Sequence, residues 1–175
     1  MNLEREYGPN PYEILPQLPH LEVWSDDVAD GQPLGAAQTA QGGSISPHLA
    51  WEAGPEGTRS YAVSMFDPDA PTASGFWHWM LVDIPADVTE LPAGAGSAGG
   101  TLPEGAFMLR NDGGTVAFTG ANPPAGDHQH RYYIAVHAVG ARSLGVARDA
   151  SLASVGFNLT FHSLARGWIM GTAES

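Results

Sequence analysis

Two stretches concentrate polar side chains beside proline-fixed turns. Asp67-Pro68-Asp69-Ala70-Pro71 precedes Trp77-His78-Trp79, and Gly120-Ala121-Asn122-Pro123-Pro124-Ala125-Gly126 precedes His130-Arg131-Tyr132. Two imidazoles supply donors to an anionic oxygen, a carboxylate fixes a histidine tautomer or receives an ammonium, and a tyrosine hydroxyl does either job. Proline fixes φ, removes a donor and restricts its predecessor, so these loops make a rim with little freedom to lose on binding. The set suits a small zwitterion or a phosphorylated head group. The same Asp/His pairing leaves a second reading open, an enzyme carrying out acid–base isomerisation or cyclisation of a small metabolite. A metal site from Asp67, Asp69, His78 and His130 has suitable ligand types but no recognised zinc spacing. The chain also lacks the Gly-x-Ser-x-Gly elbow of a serine hydrolase.

Positioning these groups is a task for strands. Arg59–Phe66 alternates, and Phe76–Ile84 and Arg131–Val139 are rich in aromatic and β-branched residues, so the three are expected at the centre of one sheet. Strict alternation puts His78 on a face with Phe76 and Met80, and Trp77 and Trp79 on the other; it puts His130 with Tyr132 and Ile134. If the strands are neighbours, Asp67, His78, His130 and Tyr132 converge at one sheet end. His20, His48, His128, His137 and His162 read as structural. Residues 1–20, with Pro9, Pro11, Pro16 and Pro19, read as an extended arm packed on a single domain of residues 21–175, rather than as a helix. Residues 92–100 are glycine-rich and read as a surface loop. From Asp149 to Arg166 the apolar spacing predicts a helix capped by Asp149 or Ser151, weakened at Gly156.

Composition narrows the partners. Seven Lys and Arg against nineteen Asp and Glu give a net charge of −12, which repels nucleic acid and anionic membrane surfaces. There is no cysteine, hence no disulfide, thiolate metal ligand or cysteine nucleophile. Residues 1–9 lack the basic start and apolar run of a secretion signal, and no apolar stretch is long enough to span a bilayer, so a cytoplasmic protein is expected. Twenty-two glycines and fourteen prolines favour turns and short strands over helices, giving a mainly β domain.

The two motifs, with Ser46-Pro47-His48-Leu49-Ala50-Trp51 upstream and Gly156-Phe157-Asn158-Leu159 downstream, resemble the phosphatidylethanolamine-binding proteins and their bacterial Raf kinase inhibitor-like members. The resemblance implies a large central antiparallel sheet packed on a smaller sheet, with Greek-key connections and peripheral helices. It also implies a binding protein without cofactor, capturing a small anionic or phosphorylated ligand, with a kinase or protease as a protein partner and a homodimer as the assembly. Carried over by motif, Asp67, Pro71, His78, Gly120, Pro124, His130 and Tyr132 line the anion cavity, and Asp69 supports it from the adjoining loop. The stretch Ala117–Pro124 departs from the Gly-Tyr-Gly-Gly-Pro-x-Pro-Pro character of bacterial members, which changes the rim's shape and polarity.

Overall fold

A computed structural model describes residues 5–175; the first four residues of the expected arm lie outside the described residues. The strands are β1 (Val23–Trp24), β2 (Gln32–Pro33), β3 (Leu49–Trp51), β4 (Ser60–Asp67), β5 (Phe76–Pro85), β6 (Glu90–Leu91), β7 (Phe107–Met108), β8 (His130–Val139) and β9 (Ser163–Ala173). The helices are α1 (Pro11–Ile14) and α2 (Leu152–His162), with one 3-10 turn at Ala36–Gln38. Six strands form the large sheet in the order β2-β9-β8-β4-β5-β7, antiparallel except for the β2–β9 pair, and β1-β3-β6 form a smaller antiparallel sheet. The protein is mainly β, with the three long strands read from the sequence adjacent at the sheet centre.

Alternation divides the large sheet into two apolar faces. Tyr61, Val63 and Met65 of β4 and Tyr132, Ile134 and Val136 of β8 pack with Leu49, Trp51 and Leu91 of the smaller sheet, forming the main core. On the opposite face, Ala62, Met80, Val82 and Val139 pack against Leu152, Val155 and Leu159, the buried stripe of α2. The remainder of that face, with Tyr133, Ala135, Trp168 and Met170, is covered by Tyr12 and Leu15 of the N-terminal segment. Burying these side chains is the main driving force for the fold, at about 1.5–3 kcal/mol for each large apolar group.

Two features differ from the sequence reading. The helix ends at His162, and the chain turns at once into β9, so Ser163–Arg166 is strand. Ala165 and Ile169 face the main core while Trp168 and Met170 face the opposite side, a period of two that apolar spacing up to Arg166 conceals. The N-terminal segment also contains one helical turn: Asn10 accepts from Tyr12 N–H at 3.0 Å, and Pro11 occupies the first helical position, where a missing N–H costs nothing.

The N-terminal segment is stitched to β9 by backbone bonds from Leu21 N–H to the Arg166 carbonyl at 3.1 Å and from Arg166 N–H to the Pro19 carbonyl at 3.0 Å. This crossing depends on Gly167, where a Cβ would stand 1.7 Å from the Leu21 carbonyl oxygen and 2.9 Å from Val23. Gly167→Ala therefore forces a backbone shift and is expected to destabilise the protein by about 2–3 kcal/mol, as for other overpacked sites. Urea unfolding monitored by tryptophan fluorescence measures it.

Candidate functional site

The antiparallel register carries Asp67, at the end of β4, beside Tyr132 and His130, at the start of β8, and β5 adds His78. His78 arrives there because of a β-bulge. Met65 pairs with Trp79 and Phe66 with Trp77, leaving His78 as the extra residue. The bulge resets alternation: Trp79 packs in the main core, Trp77 packs on the α2 side against Phe66 with ring centroids 4.5 Å apart, and Met80 follows Trp77's side. The expectation that both tryptophans oppose His78 is thereby corrected. So is the expected sharing of a face by His78 and Met80.

These residues surround a cavity of about 270 Å³ lined by Asp67, Pro71, Phe76, His78, Thr119, Gly120, Asn122, Pro124, His130 and Tyr132, with Ala40, Ala70 and Thr72 at its margin. All the residues singled out from the motifs meet here except Asp69. Its carboxylate accepts from Arg131 Nε and Nη2, both at 2.8 Å, and from Arg131 N–H at 3.0 Å, so it locks the loop instead of lining the cavity. Gly120 is needed for a close approach, since a Cβ would lie 2.4 Å from the Thr39 carbonyl carbon.

The electrostatics centre on His130, which is almost fully buried. Its Nδ1 lies 2.8 Å from Asp67 Oδ2 and its Nε2 lies 2.9 Å from Asp127 Oδ2. Two carboxylates acting as acceptors require a proton on each ring nitrogen, so His130 is an imidazolium. Burial works against that charge, but the bonds to Asp67 and Asp127 outweigh it and raise the pKa above the ordinary histidine value. Asp127 is buried as well, which would raise its pKa. Hydrogen bonds from His130, Arg5 and the His128 N–H instead hold it to about 2. Arg5 grips both Asp127 oxygens at 2.9 Å and also reaches the Asp69 carbonyl.

Both polar hydrogens of His130, and both oxygens of Asp67 through Asp69 N–H and His130, are thus engaged inside the protein. Two other residues lining the cavity keep unused hydrogen-bonding capacity. His78 Nδ1 donates to the Thr119 carbonyl at 2.9 Å, leaving its Nε2 lone pair without a proton in the neutral ring. Burial lowers the His78 pKa, the Thr119 bond and Asp67 only partly opposing, and so favours that neutral form. Tyr132 is completely buried and its hydroxyl forms no well-aligned hydrogen bond. Burial, reinforced by the charge on Asp67, raises its pKa, so it stays a protonated donor. Its ring packs edge-on against His78 at 5.2 Å.

Residues 24–174 match the family model described as phosphatidylethanolamine-binding protein. The chain belongs to this family. It is 45% identical to the UPF0098 protein YbhB of Escherichia coli, covering 83% of this chain and 94% of that one, and 43% identical to YbcL of the same organism, covering 90% of each. The crystal structure of E. coli YbcL superposes with a TM-score of 0.85 at 42% identity, over 89% of this chain and 99% of the other. A Chlamydia trachomatis homologue, 24% identical with a TM-score of 0.77, shares the fold.

The sequence reading missed Asp127, Arg5 and Asn111 of this family member. Asn111 Nδ2 donates to the carbonyls of His78 (3.1 Å) and Ala117 (3.0 Å) and to Thr119 Oγ1 (2.7 Å), pinning the loop to the bulge. Asp127 had one local signal, its place three residues before His130; Arg5 and Asn111 are distant in sequence and had none.

The raised His130 pKa stabilises the fold fully below its ordinary value, and this stabilisation is lost as pH rises through the folded value. The depressed Asp127 pKa stabilises above its ordinary value and is lost as pH falls towards about 2. Nitrogen-15 NMR of the histidine rings is expected to show His130 doubly protonated above pH 6.5, and Asp127→Asn to bring its titration to lower pH.

Proposed function

We propose that this family member captures a small anion or phosphorylated head group in the cavity between His78 and Tyr132. The observation that carries the proposal is the buried Tyr132 hydroxyl, a donor without a well-formed bond, on a cavity whose charged members are already balanced. A buried donor of this kind gains a full hydrogen bond when a ligand oxygen arrives. His78 supplies the second donor by taking up a proton at Nε2, and the anion stabilises that charged form. His130 contributes positive charge without a free donor. Pro71, Pro124 and the ring of Phe76 give the cavity walls of restricted freedom beside both contacts.

Phosphoethanolamine fits this chemistry, and so does a phosphorylated side chain on a partner such as a kinase or protease. Capture is favoured over turnover by the bonding inventory. Acid–base catalysis calls for a pair of groups free to exchange protons, whereas Asp67 and His130 are held at both of their polar atoms.

Calorimetric titration with phosphoethanolamine, inorganic phosphate and acetate tests the reading. Tyr132→Phe is expected to weaken phosphate-type ligands about tenfold or more, the value of a hydrogen bond to a charged group. Equal affinity in the variant would remove the cavity from the binding role. Conversion of the ligand, followed by phosphorus NMR, would replace capture with catalysis.

A further inference from the structure

A second polar cavity lies on the other face of the large sheet, at the seam between α2 and the N-terminal segment. It measures about 30 Å³ and is lined by Tyr12, Ser64, His137, Thr160 and Arg166 among apolar neighbours. The strand register explains the cluster: Arg166 of β9 pairs with His137 of β8, and Ser64 of β4 sits two residues before Phe66 on that same outward face.

Arg166 is only 5% exposed. Its Nη2 donates to the carbonyls of Tyr12 and Pro16, each at 3.3 Å, and the guanidinium lies 5.0 Å from the Tyr12 ring centroid. Its Nε–H is buried and has no acceptor. No carboxylate among the described residues pairs with it, although acids outnumber bases nineteen to seven and Arg5 and Arg131 are both paired with aspartates. Guanidinium does not deprotonate in proteins, so this charge stands buried without a counter-ion among the described residues.

The other lining groups are donors or neutral. Tyr12 and Ser64 share one hydroxyl proton over 3.3 Å, which leaves the second free to point elsewhere. His137 lies 3.1 Å from Ser163 Oγ through Nδ1. Burial, followed by the Arg166 charge, pushes its pKa down to about 3, so it is neutral at physiological pH. A water would satisfy the Nε–H but leave the buried charge uncompensated, a strongly destabilising condition. The volume of about 30 Å³ has room for a water or a monatomic ion.

We propose that this cavity is a structural site for a monatomic anion, chloride under cellular conditions, held by Arg166 Nε–H and the Tyr12–Ser64 hydroxyl pair beneath the N-terminal segment. It is independent of the cavity at His78 and Tyr132, which lies on the opposite face of the sheet.

The test compares sodium chloride with sodium gluconate at constant ionic strength and saturating phosphoethanolamine, so that the other cavity is filled. The melting temperature of the wild type is expected to rise with chloride and then saturate, as for a ligand that binds only the folded state. Chlorine-35 NMR is expected to broaden in parallel. Ser64→Ala, which keeps the arginine, should weaken the chloride dependence about tenfold. Arg166→Met should abolish it, and the Ser64 variant decides the matter if Arg166→Met fails to fold. In crystals grown with bromide, an anomalous peak is expected within hydrogen-bonding distance of Arg166 Nε. Identical melting in chloride and gluconate, with no bromide peak there, means the cavity holds water only and overturns the proposal.

Discussion

The site depends on His130 being held by a carboxylate at each ring nitrogen. Asp67 reaches it from β4 and Asp127 from the loop before β8, so the bond pair fixes the loop, the strand end and the imidazole together. The central β4–β8 register makes this possible by setting Phe66 opposite Tyr133, which leaves Asp67 level with the first residues of β8. With Arg5 on Asp127, two carboxylates meet two cations and the buried group is close to neutral overall. Such a network is stable only when every member is satisfied, and here all four are engaged.

That balance shapes what the cavity does. A chain of net charge −12 repels an approaching anion at long range, so the proposed capture relies on short-range donors inside the cavity. His130 cancels the floor's negative charge without presenting a hydrogen to the ligand. In the proposed capture, recognition falls to Tyr132 and His78, one a permanent donor and the other a donor only after protonation. The membership in the phosphatidylethanolamine-binding family agrees with a binding protein of this general kind.

Much of this was legible in the sequence because the informative residues are local. Asp67 and His130-Arg131-Tyr132 sit at strand ends beside prolines, and aromatic, β-branched runs announce β4, β5 and β8. What stayed hidden is non-local or breaks a period. The bulge at His78 sends Trp77 and Trp79 to opposite faces, and nothing in Trp77-His78-Trp79 itself signals an extra residue. Strand β9 was obscured because α2 runs into it without a break at Ser163. Arg5 meets Asp127 across 122 residues, a pairing that only the path of the N-terminal segment creates.

The most direct measurement of the central claim is the number of protons taken up when phosphoethanolamine binds, from calorimetry in buffers of different ionisation enthalpy. Near pH 7 the neutral His78 should gain close to one proton at Nε2 as the ligand enters, and His78→Gln should abolish the uptake while His130 stays charged throughout. Binding with no proton uptake in the wild type, or uptake unchanged in His78→Gln, would contradict the account of a pre-charged His130 and a proton-accepting His78.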